Sequence, residues 1–251
     1  MKNIKVVVSL FLPLFIFLSC NDKEDLSYDK DRLSTQAVDR NNQKWWKDRH
    51  LQIVKDLKNQ DVDLLMLGDS ITHFWETKNP KRGGKKIWDK YYSKRNAYNI
   101  GYSADRTEHV LWRLKNGEAD GISPKLIVIM IGTNNVGHRK EKPEDTAYGI
   151  KAIIKEIRKR LPDSKIMLLA IFPRGPNKDD PKRKLVDATN KIICNYADNK
   201  NVFYLDINDK FLNVDGTLPK TIMPDLLHPN EKGYEIWANA MESKIKELLG
   251  E

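Results

Sequence analysis

Five short runs of continuous apolarity, at residues 63–67, 97–100, 126–131, 166–171 and 202–205, constrain this 251-residue chain more than any other feature. Unbroken apolarity, as opposed to apolar-polar alternation, is what strands covered on both faces show. Helical patterns separate the runs. Ala147, Ile150, Ile154, Ile157 and Leu161 are spaced by three and four until Pro162 stops them, and Tyr234, Trp237, Met241, Ile245 and Leu248 repeat the spacing after Pro229. Alternating strands and helices predict a parallel sheet with helices on both sides, a three-layer αβα sandwich around five parallel strands in one α/β domain over residues 41–251. A hydrophobic content of 40% excludes a disordered chain, and two cysteines exclude a disulfide framework or a four-cysteine zinc site.

Open parallel sheets bind ligands beyond the carboxyl ends of their strands. After the first apolar run comes Gly68-Asp69-Ser70-Ile71-Thr72, and after the second Gly101-Tyr102-Ser103-Ala104-Asp105. The third is followed by Gly132-Thr133-Asn134-Asn135, and Asp225-Leu226-Leu227-His228 precedes the last helix. A hydroxyl, backbone N–H groups, a side-chain amide, a carboxylate and an imidazole therefore converge on one sheet edge. Acyl transfer needs that set. A serine becomes nucleophilic when a base removes its proton, a carboxylate holds the base in the right tautomer, and donors stabilise the oxyanion. Each motif alone is an ordinary turn or cap; their joint occurrence, each after its strand, carries the reading.

These residues resemble the SGNH (GDSL) hydrolase superfamily, whose sheet is flavodoxin-like. Within it, the segment His109-Val110-Leu111-Trp112-Arg113-Leu114-Lys115-Asn116-Gly117-Glu118 is similar to the branch holding the catalytic subunits of intracellular platelet-activating-factor acetylhydrolase and their bacterial relatives. Gly132-Thr133-Asn134-Asn135, Pro173-Arg174-Gly175 and Leu227-His228 match the same branch. The resemblance spans residues 62–249 and implies Ser70 as nucleophile, His228 as base and Asp225 as the orienting acid. It also implies an oxyanion hole made by the N–H of Ser70, a second-block N–H and the amide of Asn134, with no metal or organic cofactor. The second-block donor falls on Ala104, where the family usually has glycine. Its N–H remains available, but a positive φ would cost alanine more than glycine.

Residues 1–19 combine two lysines with an apolar stretch and read as an export signal. Leu18-Ser19-Cys20 resembles the lipobox of bacterial lipoproteins, and Asn21-Asp22-Lys23-Glu24-Asp25 resembles the acidic tract that sends Bacteroidetes lipoproteins to the cell surface. Both imply a lipidated Cys20, a polar tether over residues 20–40, and an enzyme anchored to the outer membrane, with the periplasmic face as the other possibility. Cys194, in an apolar helical stretch, is expected to be a buried, inert thiol. The +9 net charge, from 44 Lys+Arg against 35 Asp+Glu, lies in short clusters interleaved with acids. It reads as a solvated surface, with no nucleic-acid partner.

Ile71, Thr133 and Leu227 are expected to form a tight apolar wall for a short acyl chain, with Trp75 and Tyr102 as substrate contacts. Trp45 and Trp46 are expected to pack an N-terminal helix, with Leu51 and Val54, onto the domain. His50, His73, His109 and His138 have no ligand-like spacing and read as packing or surface residues, His138 being the one placed to line a pocket mouth. The resulting expectation is an acetylesterase acting on an acylated glycan or small ester. A lipid esterase and a non-catalytic glycan-binding lipoprotein are the alternatives, and the oligomeric state stays open.

Overall fold

The structure, a computed structural model, describes residues 32–251. The export signal, Cys20 and the first part of the tether lie outside the described residues. After a single turn at Leu33–Thr35, helix α1 (Lys44–Leu57) leads to β1 (Leu64–Gly68), the short α2 (Ser70–His73) and α3 (Lys85–Tyr91). Strand β2 (Ala97–Gly101), α4 (Thr107–Arg113), β3 (Leu126–Met130) and α5 (Thr133–Arg139) follow. The chain closes with α6 (Pro143–Arg160), β4 (Lys165–Leu169), α7 (Pro181–Ile193), β5 (Val202–Leu205) and α8 (Glu231–Leu249).

The strands form one parallel sheet in the order β2-β1-β3-β4-β5. The αβα sandwich read from the sequence is the observed fold. Alternate residues of each apolar run enter opposite layers, as the two-residue strand period requires. Leu65, Leu67, Ile127 and Ile129 pack with α1, α4, α6 and α7 residues such as Ile53, Val110, Ile153 and Val186. Leu64, Met66, Leu126 and Val128 pack against Trp75, Tyr234, Trp237 and Met241 on the other side. Because β1 lies between β2 and β3, the chain leaves it first to one side and then to the other. That reversal opens a crevice at the carboxyl ends of these three strands.

Several local expectations are corrected. The tether was expected to reach residue 40, yet Ser34 and Thr35 are buried, with the Ser34 hydroxyl on the carbonyl of Asp145. The helical spacing after Pro229 is that of α8, which Asn230 caps, its Oδ1 accepting from the N–H of Gly233 at 3.1 Å. Helix α1 buries Trp46, His50, Ile53 and Leu57, while Trp45 and Leu51 stay exposed. Cys194, directly after α7, is half-buried and not fully buried, and its thiol donates to the carbonyl of Lys191 at 3.2 Å.

Gly68 ends β1 where α2 folds back onto the sheet. A Cβ there would sit 2.2 Å from Thr72 Oγ1 and 2.4 Å from the Met130 carbonyl oxygen. The second contact is with backbone, which cannot swing away. Gly68→Ala is therefore expected to destabilise the protein by about 1–3 kcal/mol or more, read as a lower midpoint in urea unfolding. An unchanged midpoint would show that the junction is looser than this packing implies.

Candidate active site

Ser70 is the first residue of α2, directly after β1, so its side chain leaves the sheet at the crevice. Asp69 caps this helix, its Oδ1 accepting from the N–H of Ile71 at 3.0 Å. Ser70 Oγ lies 2.9 Å from His228 Nε2, and His228 Nδ1 lies 2.7 Å from Asp225 Oδ2. The other Asp225 oxygen accepts from the N–H groups of Leu227 (3.1 Å) and His228 (2.7 Å). That turn carries Leu226 at φ 59°, a costly value for a branched side chain, and its carbonyl is held by the N–H of Gly175 at 2.9 Å.

Charge tuning follows from this geometry. Burial opposes ionisation of Asp225, but the N–H of His228, its ring and the N–H of Leu227 outweigh burial and hold the carboxyl below its usual range. Burial lowers the pKa of His228; Asp225 pulls it back up, while Arg82 and Arg174 push it down, and it settles below the ordinary 6.5. At neutral pH the ring is thus uncharged and able to accept a proton at Nε2. Behind Ser70, burial raises Asp69 to about 7, against the bond from Ile71 that favours its charge.

Two further segments complete the constellation. Ala104, in the loop after β2, has φ 64°, so it adopts the left-handed conformation that glycine would take more cheaply. Asn134, near the start of α5, donates from Nδ2 to the carbonyl of Asp105 at 2.9 Å, fixing its amide beside Ala104. His73, at the other end of the nucleophile's helix, accepts at Nδ1 from the N–H of Ser103 (3.3 Å) and lies 3.1 Å from its hydroxyl. Burial, helped by Arg49 and Arg113, pushes His73 down to about 3.

The structure joins Ser70, His228 and Asp225 by hydrogen bonds and sets Ala104 and Asn134 just beyond the carboxyl ends of the strands on either side of β1, but it removes most of the expected substrate contacts. Trp75 is fully buried among Tyr92, Tyr234 and Trp237. Tyr102 is equally buried, its hydroxyl on Glu118 and its ring 3.9 Å from the Arg113 guanidinium. Ile71 is core, and Thr133 is buried with its carbonyl and hydroxyl both held by Arg174, at 2.7 and 3.0 Å. Only Leu227 stays half-exposed. Large rings next to catalytic motifs were expected at the surface, but the packing needs of two core layers claimed them.

Other residues take the rim. Phe74 stands 5.2 Å from the His228 ring, and the exposed Arg82 guanidinium lies over Phe74 at 4.5 Å. Neither belongs to a motif, so nothing in their spacing marked them. His138 is exposed, with Nδ1 3.4 Å from Arg106 Nη1. A groove of about 740 Å³ runs along the outer edge of β2, lined among others by Trp45, Arg49, His73, Glu76, Trp88 and Tyr98. Among the described residues no cluster of His, Cys, Asp or Glu could hold a metal ion, and no helix is long and apolar enough to cross a membrane.

The GDSL-like Lipase/Acylhydrolase family matches residues 66–236. The alpha2 subunit of platelet-activating factor acetylhydrolase IB from Rattus norvegicus is 34% identical over 206 residues, covering 82% of this chain and 86% of the relative. The alpha1 subunit from Homo sapiens is 32% identical over 206 residues, covering 82% and 85%. Among solved structures, a putative acylhydrolase from Bacteroides fragilis superposes with a TM-score of 0.66 at 18% identity, over 80% of this chain and 96% of that one. A catalytic mutant of an acetylxylan esterase from Geobacillus stearothermophilus gives 0.57 at 19%, over 77% and 97%. A family match running from within β1 into α8, together with the platelet-activating factor acetylhydrolase relatives, makes the chain a member of the GDSL-like lipase/acylhydrolase family and a carboxylic ester hydrolase.

Proposed function

We propose that the protein is a serine esterase that removes short acyl groups, chiefly O-acetyl, from glycans or glycoconjugates through an acyl-Ser70 intermediate. The observation that carries this reading is the unbroken hydrogen-bonded line from Ser70 Oγ through His228 to Asp225. His228 Nε2 takes the Ser70 proton as Oγ bonds to the carbonyl carbon, a step worth roughly 10²–10⁴ in rate. The oxyanion is met by the N–H groups of Ser70 and Ala104 and by Nδ2 of Asn134, each donor worth on the order of 10²–10³. His228 then protonates the departing alcohol as the C–O bond breaks. A water, deprotonated by the same nitrogen, attacks the acyl-enzyme carbonyl; the bond to Ser70 Oγ then breaks, His228 returns the proton to Oγ, and the carboxylic acid leaves.

A short acyl group is favoured because Ile71 and Thr133 are packed shut, which leaves little depth beside Ser70 for a long chain. The platelet-activating factor acetylhydrolase subunits and the structurally similar acetylxylan esterase are both named for an acetyl group and for different substrates. A glycan alcohol is favoured by the groove beside His73, where exposed Trp45 and half-buried Trp88 offer ring surface and Glu76 and Tyr98 offer polar partners. The basic and apolar N-terminal run with Cys20 supports an exported enzyme held at the outer membrane by lipid.

The test is acetate release from a panel of acetylated glycans and from an acetyl glycerophospholipid, with Ser70→Ala as control. Glycan turnover abolished by Ser70→Ala supports the reading; turnover confined to the phospholipid moves the enzyme to the lipid class. On p-nitrophenyl esters, acetate should be cleaved faster than octanoate, and the reverse order would refute a short acyl site. kcat/KM for the acetate ester should rise with pH to a plateau with a midpoint below 6.5, as His228 loses its proton. Arg82→Ala removes a cation that disfavours the protonated ring, so the midpoint should move upward; a downward move or no move would contradict the assignment of His228 as base.

A further inference from the structure

Residues 32–43 precede the family match and cross the body as a strap. Ser34 is one fastening: its hydroxyl donates to the carbonyl of Asp145, and its own carbonyl accepts from Thr107 Oγ1 at 2.9 Å. The N–H of Val38 then donates to the carbonyl of Glu108 at 3.2 Å. Arg40 follows. Its Nη1 donates to the carbonyl of Ser103 at 2.8 Å and to Asp105 Oδ1 at 2.9 Å, and its Nη2 donates to Gln43 Oε1 at 2.8 Å. A single guanidinium therefore grips the residues on both sides of Ala104, and only 12% of its side chain is exposed.

Asp105 has two donors besides Arg40. Its Oδ2 receives Arg113 Nε at 2.9 Å, and its Oδ1 also receives Trp46 Nε1 at 2.8 Å. What Arg40 alone supplies is the tie to the Ser103 carbonyl, which shares one planar peptide group with the N–H of Ala104 and points the opposite way. A residue at φ 64° that is not glycine stays there only if its surroundings over-determine it. Arg's planar fork suits the task, because two acceptors at a fixed separation set its orientation as well as its position.

We propose that Arg40 is a positioning residue for acyl transfer: by clamping the Ser103 carbonyl and the Asp105 carboxylate together, it holds Ala104 left-handed with its N–H directed at the oxyanion. The strap is then a working part of the esterase site. This rests on the assignment of Ser70 as nucleophile and Ala104 as oxyanion donor. A donor displaced by a fraction of an ångström still binds the ground-state ester but stabilises the tetrahedral state less, so the loss falls on kcat.

The experiment uses the full chain with p-nitrophenyl acetate, comparing wild type, Arg40→Ala, Arg40→Lys and Ser70→Ala, with thermal unfolding of each. Arg40→Ala is expected to lose about 10- to 100-fold in kcat with KM unchanged. Arg40→Lys, which keeps the charge at Asp105 but lacks the fork, is expected to fall between the two. Added guanidinium at millimolar concentration should restore part of the Arg40→Ala kcat and none of the Ser70→Ala kcat. The proposal is overturned if folded Arg40→Ala keeps wild-type kcat, if its loss falls on KM, or if guanidinium restores nothing. Should Arg40→Ala not fold, Arg40→Lys decides, and wild-type kcat in it overturns the proposal. Activity surviving in Ser70→Ala would instead overturn the serine mechanism itself, whereas an inactive Ser70→Ala beside an undiminished Arg40→Ala sinks only the role of Arg40.

Discussion

The rest of the site depends on one buried carboxylate, that of Asp105. It is fully buried and receives Trp46 from α1, Arg113 from α4 and Arg40 from the strap, while the carbonyl of the same residue anchors Asn134. Arg113, itself fully buried, also pairs with Glu118, which takes the hydroxyl of Tyr102 and the ring of His50. Burial works against the charge on Glu118, yet Arg113, His50 and Tyr102 together hold its carboxyl below the usual range. Removing one partner from such a network leaves an uncompensated charge and costs about 3–5 kcal/mol. The network thus sets the position of the loop after β2 more firmly than backbone hydrogen bonding alone would.

A second device, on the opposite face of the sheet, relates the nucleophile to its base. Ser70 and His228 are far apart in sequence and reach each other through α2 and α8. The hydroxyl of Tyr234, in the first turns of α8, donates to the carbonyl of Ile71 at 2.6 Å, and the rings of Trp75 and Tyr234 lie 4.5 Å apart. The helix that begins with Ser70 and the helix that follows His228 are therefore packed as one unit. The ring cluster around Trp75 and Trp237 keeps that unit dry and closely packed. The buried rings of Trp75, Tyr234 and Trp237 serve the chemistry by fixing distances from within the core.

The sheet, its covering helices and the residue types at its catalytic edge were legible in the sequence because each is encoded locally. Continuous apolar runs mark strands with two buried faces, and Gly-Asp-Ser, Gly-Thr-Asn-Asn and Asp-x-x-His mark the turns after them. The buried ion network was only half legible: Arg113 and Glu118 stand in the segment whose resemblance to a known branch was recognised, but His50, which pairs with Glu118, and Trp46 and Arg40, which pair with Asp105, lie far upstream. Ile71, Thr133, Trp75 and Tyr102 were misplaced for one physical reason. Proximity in sequence to a catalytic residue does not say which face of a strand or helix a side chain takes, and the two core layers took all four.

By itself, then, the sequence determined the αβα architecture and the residue types at its catalytic edge, because strand periodicity and turn chemistry act over a few residues; the roles of Ser70, Ala104, Asn134, Asp225 and His228 came from the resemblance to a known family. Tertiary structure alone decided that Ala104 adopts the backbone its chemistry disfavours, that Phe74 and Arg82 flank the imidazole, and that a strap from before the family's own boundaries grips the loop after β2. Those outcomes depend on contacts between segments separated by tens of residues. Only the closed fold sets such distances, since they are fixed by how the layers pack and not by any local preference of the chain.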